Sequence, residues 1–379
     1  MKTVLISSYA VPGGNATSNR LEVFASELMN NKVSDEVRII SANNYKSRDF
    51  NFDKRVILEN ISFFNNSHDS VFIRFLTELF MSFKLWSRAN KTKPDLVIVT
   101  IPSMLLLLPV VIFAKPKKLV LDIRDLQWDY FSDGVLLRLY GSLARWLFGR
   151  AIYKAKLLSV TNRYECKKIE EQFGIRPIIV MNGISKQQLE DLAITPRKDP
   201  RSKVYLSYIG NVGLAQELDI LLDLAKSYKN QIEVNIVGKG VKLNSLMKRS
   251  DDENISNVNF RGSVSKQMVA QYIKNTDILF AQIGDNYKSA VPSKIFEYIA
   301  SGRSVLLGLP SGVAKEIFIE FKGVEIFPSG NFPDMIESFE NLLNTRIKPN
   351  EIESNIRILK SKYIRENNVM DLICEIKKI

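Results

Sequence analysis

The chain has 379 residues, a formal net charge of +12 and a hydrophobic content of 45%, which is enough for two α/β domains with separate cores. The charge favours an anionic partner, but no zinc-ligand spacing, RNP-like aromatic pattern or Arg-rich tract points to nucleic acid. Two cysteines exclude a disulfide framework and favour a reducing cytosol, and neither a signal peptide nor an apolar run of ~18–20 residues is recognised.

The first half alternates strand-like apolar runs with helix-like stretches, which is typical of βα units and a parallel sheet. The predicted strands lie at 3–8, 36–41, 95–100, 118–122, 157–161 and 177–181.

Polar and small residues follow two of these strands. Gly13 and Gly14 close the turn after the first strand, which is either a simple tight βα turn or a backbone that lies close to a ligand. Asp122, Arg124 and Asp125 follow the strand at 118–122. Carboxylates there can orient or deprotonate a hydroxyl, or an Arg–Asp pair can merely fix the loop.

Two segments combine basic and aromatic residues, at 72–88 and 135–158. Such amphipathic helices can lie in an anionic leaflet, while core packing is the competing explanation. The apolar run at 104–114 contains Pro109 and is interpreted as a buried helix or βα element.

A polar linker is predicted at 185–203, where two prolines interrupt the pattern. The strand–helix alternation then resumes, so the predicted domains are 1–190 and 191–365, with a terminal helix at 366–379 that packs back on the first domain. The strands predicted for the second domain lie at 204–209, 232–237, 257–261, 277–282, 304–308 and 324–327.

Three successive strands of the second half end in glycine, at Gly210, Gly238 and Gly262. This pattern predicts a rim of open backbone N–H groups that a phosphate can approach. Further along, "VPSKIFEYIASG" predicts a helix that begins near Ser293, with Lys294 and Glu297 in its first turns. Glu297 can interact with the helix dipole alone, or bind two vicinal hydroxyls as an acid binds a ribose.

The segments "YIGNVGLAQELDILLDLA", "NIVGKG", "NVNFRGSVSKQMVAQYIKNTDILF" and "VPSKIFEYIASGRSVLL" occur in an order and spacing that resembles family 4 glycosyltransferases. The resemblance covers residues 1 to about 370 and is nearest to bacterial O-antigen or capsule enzymes, such as N-acetyl-L-fucosamine transferases. It implies a GT-B fold, in which two doubly wound Rossmann-like domains face each other across a cleft.

The resemblance also implies site residues. The nucleotide sugar would bind the second domain, with Glu297 on the ribose and Lys294 near the diphosphate, while Asp125, with Asp122 second, would meet the acceptor. Gly14 would act beside the leaving phosphate, with Arg20 supporting an anionic group. The donor site would be lined by Gly13, Gly14, Gly210, Asn211, Gly213, Gly238, Gly240, Val264, Ser293, Lys294 and Glu297.

Two departures from the family pattern stand out. The first acid of its Glu-x7-Glu pair falls on Ser289, with Asp285 as a candidate substitute. Its usual basic residue after the first glycine loop falls on Gln216, which leaves Lys294, or Lys288, to neutralise the diphosphate.

The resemblance implies retaining transfer (EC 2.4) of a hexosyl or N-acetylhexosaminyl unit from a UDP-linked donor to a polyprenyl-diphosphate-linked acceptor. No cofactor and no metal are expected, and His68 alone cannot form a two-histidine site. The enzyme would be cytoplasmic and bound peripherally to the inner face of the membrane. Alternatives are a UDP-sugar 2-epimerase of the same architecture, a non-catalytic nucleotide-binding assembly partner and, less favoured, a dinucleotide oxidoreductase.

Overall fold

The computed structural model divides the chain into two compact units, which are residues 1–182 with 365–379 and residues 183–364. The division falls at Asn182/Gly183, earlier than the predicted boundary at 190/191. The residues that the structure describes are 1–12, 15–42, 55–62, 71–101, 103–114, 118–126, 135–192 and 202–379.

The amino-terminal unit is built on a parallel sheet of seven strands in the described ranges, with the order β3-β2-β1-β4-β5-β6-β7. These strands are β1 (Lys2–Ser7), β2 (Glu36–Ala42), β3 (Val56–Ile61), β4 (Leu96–Ile101), β5 (Leu119–Ile123), β6 (Leu157–Val160) and β7 (Ile178–Ile179). The sequence prediction missed β3, because this edge strand carries the polar pair Glu59 and Asn60 and its interior positions are largely half-buried.

Five helices follow the strands of this unit within the described residues: α1 (Ala16–Asn30), α2 (Val71–Lys91), α3 (Leu107–Phe113), α4 (Val135–Ile152) and α5 (Arg163–Phe173). Helix α1 begins where the Asn15 side chain accepts a hydrogen bond from the Ser18 amide at 2.8 Å, which satisfies one free N–H of the first turn. Its apolar face, with Leu21, Phe24 and Leu28, is fully buried against the sheet.

The carboxy-terminal unit has six parallel strands in its described part, ordered β10-β9-β8-β11-β12-β13. They are β8 (Val204–Ile209), β9 (Ile232–Val237), β10 (Val258–Gly262), β11 (Ile278–Gln282), β12 (Ser304–Leu309) and β13 (Val324–Pro328). Around them lie α6 (Lys186–Asp191), α7 (Asp219–Ser227), α8 (Leu243–Asp252), α9 (Lys266–Lys274), α10 (Ser293–Ala300), α11 (Val313–Phe318), α12 (Phe332–Asn344) and α13 (Pro349–Lys362).

Helix α6 occupies the start of the predicted linker at 185–203. It forms because Ser185 and Gln188 make a capping box, in which each side chain bonds the other residue's amide. The rest of the predicted linker, 193–201, lies outside the described residues.

The chain returns to the amino-terminal unit at its end. Helices α14 (Arg365–Asn368) and α15 (Met370–Lys378) contact α1, and Leu372, Ile373 and Ile376 are buried in that unit's core. Both cysteines are free thiols, and Cys166 and Cys374 line one open cavity of about 390 Å³ beside α15.

The predicted buried element at 104–114 is only partly buried. A short 3-10 turn at Met104–Leu106 leads into α3, and its residues are buried. At the other end of α3, Ile112 and Phe113 are more than half exposed, at 56% and 54%.

Candidate functional site

Each sheet has one point at which the strand order reverses. In the carboxy-terminal unit the chain runs from β8 outward to β10 and then resumes at β11 on the other side of β8. The same reversal separates β1 from β4 in the amino-terminal unit. Ligands of doubly wound sheets bind outside the carboxyl ends of the strands at such reversals, so the two candidate sites lie after β8 and β11 and after β1 and β4.

The glycine rim of the carboxy-terminal unit is not a row of free amides. The Gly210 amide donates to the Val237 carbonyl at 2.9 Å, and the Gly238 amide donates to the Gly262 carbonyl at 2.8 Å. The glycines serve close packing, because a Cβ on Gly238 would collide with the Gly210 carbonyl oxygen and its φ of +149° disfavours any side chain. Likewise, a Cβ on Gly240 would collide with the backbone of Val212.

Gln216 occupies the backbone amide of Gly213, one of the predicted donor-site residues. The Gly213 amide donates to Gln216 Oε1 at 3.1 Å, and the exposed Asn211 side chain donates to the same oxygen at 3.5 Å. In this conformation the Gly213 amide is therefore not free to bind a phosphate. Gln216 has to rotate away before that amide can reach a phosphate.

Helix α10 supplies the free amides instead. Its N-cap, Pro292, makes no side-chain cap, and the amides of Ser293 and Lys294 lie in the first turn, where no helical carbonyl is available to them. Lys294 is half-buried, and in the described part of the chain its ammonium group makes no hydrogen bond or ion pair. The helix start thus combines N–H donors and a cation, which suits a phosphate.

Glu297 lies one turn further along α10 and is half-buried. Its Oε1 accepts a hydrogen bond from Gln188 Nε2 at 3.2 Å, so the capping residue of α6 orients the carboxylate.

Tyr298, which the sequence analysis did not single out, is fully buried and fixes α10 to the end of β8. Its hydroxyl donates to the Ile209 carbonyl at 2.9 Å and accepts from the Ile209 amide at 3.0 Å. Burial raises the pKa of Tyr298 well above its usual value, so the hydroxyl stays protonated for this contact.

In the carboxy-terminal sheet, the loop between β8 and α7 carries the acidic residue Glu217 at the point where the strand order reverses. Glu217 has a left-handed backbone with φ of +42°, its carbonyl accepts from the buried Gln282 at 3.0 Å, and its carboxylate lies against Gly284. Partial burial, then the charges of Asp285 and Asp219, raise the pKa of Glu217. The sequence carries no signal for Glu217, because a left-handed conformation, which favours glycine, cannot be predicted from a glutamate.

The other predicted donor-site positions are spread over the neighbouring loops. Ser289 is buried, whereas Asp285 and Lys288 are exposed. Val264 is half-buried just after β10.

In the amino-terminal unit, Asp122 is fully buried, and its predicted catalytic role is not compatible with its surroundings. Its carboxylate binds Arg20 at 2.6 Å and accepts from Ser159 Oγ at 2.7 Å and Thr100 Oγ1 at 3.2 Å. Arg20 in turn donates to the Val180 carbonyl at 2.5 Å. A base must be within reach of a substrate proton, so we assign Asp122 and Arg20 to holding the ends of β5, β6 and β7 together.

Asp125 is half-buried and stays a prediction for the acceptor side. The adjacent Arg124 is buried and donates to the Ala16 carbonyl at 3.2 Å and to Asn182 Oδ1 at 3.4 Å. Burial lowers the pKa of Arg124 to about 10, so it is a cation at neutral pH. Arg124 therefore ties the Asp125 loop to the start of α1 and to Asn182.

Glu165 is a further buried acid at this edge of the sheet. It lies in the first turn of α5, where Asn162 caps the helix by accepting from the Glu165 amide at 3.0 Å. The sequence "NRYE" follows a strand and places an acid three residues after a capping Asn. This pattern is typical of a helix start and could have identified Glu165. Gly13, Gly14 and His68 lie outside the described residues.

Residues 194–358 match the family model for glycosyl transferases group 1. No curated protein sequence matches the chain.

Similar solved structures extend over the whole length. The lipopolysaccharide outer core galactosyltransferase WaaB, in its apo form, is 16% identical, with a TM-score of 0.64 and 99% of both chains covered. WaaG, a glycosyltransferase involved in lipopolysaccharide biosynthesis, is 15% identical, with a TM-score of 0.69, covering 98% of this chain and 99% of the other. Anabaena HepE in complex with UDP and glucose is 14% identical, with a TM-score of 0.69 and complete coverage of both. The carboxy-terminal unit thus resembles group 1 glycosyl transferases in sequence, and the whole chain shares the GT-B fold of these structures.

Proposed function

We propose that the protein is a retaining glycosyltransferase that moves a sugar from a UDP-linked donor to a polyprenyl-diphosphate-linked saccharide in bacterial surface polysaccharide synthesis. The observation that carries the proposal is the match of residues 194–358 to group 1 glycosyl transferases, because these residues include the reversal between β8 and β11 together with α10. HepE has been solved with UDP and glucose, and Staphylococcus aureus TarM with UDP, which supports UDP as the nucleotide.

In the proposed donor site, Glu297 accepts hydrogen bonds from the ribose hydroxyls, while α10 holds the diphosphate. The amides of Ser293 and Lys294 and the Lys294 ammonium group face developing charge on the leaving phosphate, where preorganised donors stabilise a transition state. These groups supply the positive charge that a metal would otherwise supply, so we propose metal-independent transfer.

On the acceptor side, Asp125 orients the attacking hydroxyl. Its half-buried position gives it access to a ligand that the buried Asp122 lacks.

A surface of the amino-terminal unit suits a lipid-linked acceptor. We call it the apolar-basic surface: the exposed side chains of α2, α3 and α4, which pack side by side. Phe80 is 73% exposed and Trp146 53%, and Phe113 meets Phe83 edge-on with ring centroids 6.1 Å apart. Its apolar members include Phe80, Ile112, Phe113, Leu143 and Trp146, and its basic members include Lys84, Arg145 and Arg150.

Aromatic side chains beside cations fit the interface of an anionic leaflet. In α4, the Arg150 guanidinium lies 5.3 Å from the centre of the Trp146 ring. The described helices include none with the length and apolarity needed to cross a bilayer. We therefore propose that the apolar-basic surface attaches the enzyme peripherally to the inner face of the membrane.

Replacing Arg145 and Arg150 together with Ser is expected to weaken binding to phosphatidylglycerol vesicles about tenfold or more, since each basic residue near such a surface contributes about 1 kcal/mol. Vesicle co-sedimentation measures the effect. The matched control replaces Arg163 and Arg346, two exposed arginines elsewhere, with Ser. Equal losses in both double variants would contradict a localised surface.

The proposed reaction is tested by incubating the protein with a panel of nucleotide sugars, with and without a synthetic polyprenyl-diphosphate saccharide and with and without EDTA. Acceptor-dependent UDP release, a product heavier by one sugar and an unchanged anomeric configuration by NMR are expected. Interconversion of the donor sugar without acceptor would identify an epimerase instead. Nucleotide binding without any turnover would indicate an assembly partner, and loss of turnover in EDTA would contradict metal independence.

A further inference from the structure

A row of polar side chains crosses the amino-terminal sheet near the carboxyl ends of its strands. Ser7 of β1 pairs with Ser41 of β2 on one side and with Thr100 of β4 on the other, and the register continues outward from both. Across six of the described strands the row consists of Asn60, Ser41, Ser7, Thr100, Asp122 and Ser159. Every member except the half-buried Asn60 is fully buried. Buried polar groups are hydrogen-bonded in folded proteins, so the row needs partners.

The β1 side of the row holds the segment of chain that follows β1. Ser7 Oγ accepts a hydrogen bond from the Tyr9 amide at 3.0 Å, and Ser41 Oγ accepts one from the Val11 amide at 3.2 Å. Ser41 Oγ itself donates to Asn60 Oδ1 at 2.8 Å, which leaves its lone pairs for the amide. The side chain of Val11 is fully buried in the core. The segment is therefore fixed by hydrogen bonds to two strands and by its buried end.

Tyr9 is the exposed residue of this fixed segment, with 49% of its surface accessible. A tyrosine side chain has only two rotatable dihedrals, so little ordering is left to occur when a ligand meets a tyrosine on a fixed backbone. Partial burial, then the charges of Glu78 and Asp125, raise the pKa of Tyr9, so its hydroxyl is protonated at neutral pH. The segment thus presents a preorganised aromatic face with a hydrogen-bond donor.

Carboxylates lie at the strand ends next to Tyr9. Strand β4 neighbours β1, and Ser103, two residues after β4, donates to Glu78 Oε2 at 3.3 Å. This hydrogen bond places the exposed Glu78 of α2 at the end of β4. Strand β5 is next in the sheet, and Asp125 follows it. The ends of three adjacent strands therefore carry one aromatic ring and two acids, at the point where the strand order reverses.

This combination of groups suits a neutral sugar. A pyranose ring has an apolar face of C–H groups that can pack on an aromatic ring, and hydroxyls at its rim that can donate to carboxylates. A uronic acid would bring a further negative charge to Glu78 and Asp125, and like charges brought together disfavour binding. The reversal between β1 and β4 is also where a doubly wound sheet binds its ligand.

We propose that Tyr9 stacks on the terminal sugar of the acceptor, that Glu78 accepts hydrogen bonds from its hydroxyls, and that this sugar is neutral. Ser41 and Asn60 are positioning residues in this scheme, because they act through the backbone that carries Tyr9. The inference rests on the proposed function for the role of the sugar as acceptor, but not for the presence of a sugar site.

Sugar binding at Tyr9 can be measured without a transfer assay. Fluorine-19 NMR follows the 13 tyrosines after labelling with 3-fluorotyrosine, and Tyr9→Phe identifies the Tyr9 resonance. The probes are farnesyl-diphosphate disaccharides that end in a neutral hexose, an N-acetylhexosamine or a uronic acid. The neutral probes are expected to shift the Tyr9 resonance, whereas the uronic acid probe and farnesyl diphosphate alone should not. A resonance that no neutral probe shifts, or that all probes shift equally, would overturn the proposal.

Transfer kinetics test the contact if the proposed transfer is found. Tyr9→Ala is expected to raise the acceptor KM about three- to tenfold and to leave the donor KM unchanged, because only the acceptor loses a stacking partner. Tyr153→Ala is the matched control, since Tyr153 is a 67% exposed tyrosine of the same unit. An acceptor KM that is the same in Tyr9→Ala and Tyr153→Ala would refute the contact.

Glu78→Gln tests the preference for a neutral sugar. The change keeps the shape of the side chain and removes its charge, so the KM for the uronic acid probe should fall relative to that for the neutral probes. An unchanged ratio of the two KM values would remove Glu78 from the site.

Ser41→Ala tests the positioning role, because it removes the acceptor of the Val11 amide. The acceptor KM should rise while kcat and the donor KM change little. In the double variant with Tyr9→Ala, the loss of Ser41 should add little, since Ser41 acts through Tyr9. Losses that add in the double variant would contradict positioning.

The two kinds of experiment separate this proposal from the proposed function. A Tyr9 resonance that neutral probes shift, without any transfer, would keep the sugar site and remove the transferase. Transfer with an unshifted Tyr9 resonance and an unchanged acceptor KM in Tyr9→Ala would keep the transferase and remove the sugar site.

Discussion

Replacing Glu297 with Ala is expected to weaken UDP binding by about 10- to 100-fold, because a hydrogen bond to a charged group contributes about 1.5–3 kcal/mol. The carboxylate is half-buried on α10 and is already oriented by Gln188, so little ordering is left to occur on binding. Isothermal titration calorimetry with UDP measures the change. Thermal unfolding of the variant checks that the unit is intact, which we expect because Tyr298 still fixes α10 to β8.

Gln188→Ala is the matched control for this experiment. It breaks the same hydrogen bond between α6 and α10 but leaves the carboxylate in place. We expect it to change UDP affinity much less than Glu297→Ala does. Equal losses would show that Glu297 acts by holding α6, and unchanged affinity in a folded Glu297→Ala protein would remove Glu297 from the nucleotide site.

Replacing Asp122 with Ala is expected to destabilise the amino-terminal unit by about 3–5 kcal/mol, since it leaves the Arg20 charge buried and uncompensated. Arg20 is 4% exposed and Asp122 not at all, so water cannot replace the lost partner. The hydroxyls of Ser159 and Thr100 lose an acceptor as well. Urea unfolding followed by tryptophan fluorescence measures the loss.

A double variant separates the buried charge from the packing. Arg20→Leu with Asp122→Leu leaves no unpaired charge, so it should be less destabilised than either single variant. Additive losses in the double variant would contradict a coupled ion pair. A stable Asp122→Ala protein that had lost only transfer activity would restore Asp122 as a catalytic candidate.

The second prediction concerns one of two acids that looked alike in the sequence. Asp122 and Asp125 both follow the same apolar strand, and the spacing alone favoured neither as a structural residue. The structure separates them because residue 122 still belongs to β5, where its side chain is enclosed by Arg20 of α1 and Ser159 of β6. Asp125 lies beyond the strand and is half-buried.

The sequence by itself determined the strand–helix alternation, the two parallel sheets and the glycine-ended strands, because burial on both faces of a parallel sheet imposes local apolar patterns. It also indicated α10 with Glu297, through a short motif whose residues lie within two turns of one helix. It missed the edge strand β3 and placed part of α3 wrongly, where exposed Ile112 and Phe113 do not differ in type from core residues.

Only the tertiary structure decided which polar groups are already satisfied. The Arg20–Asp122 pair joins residues 102 positions apart, and the Gly210 and Gly238 amides are taken by carbonyls of neighbouring strand ends. Burial, and after it the charge of Asp125 from another loop, raise the pKa of Glu165 to about 8. Hydrogen bonds and charges of this kind depend on distances between segments that are remote in the chain, and local sequence patterns carry no record of those distances.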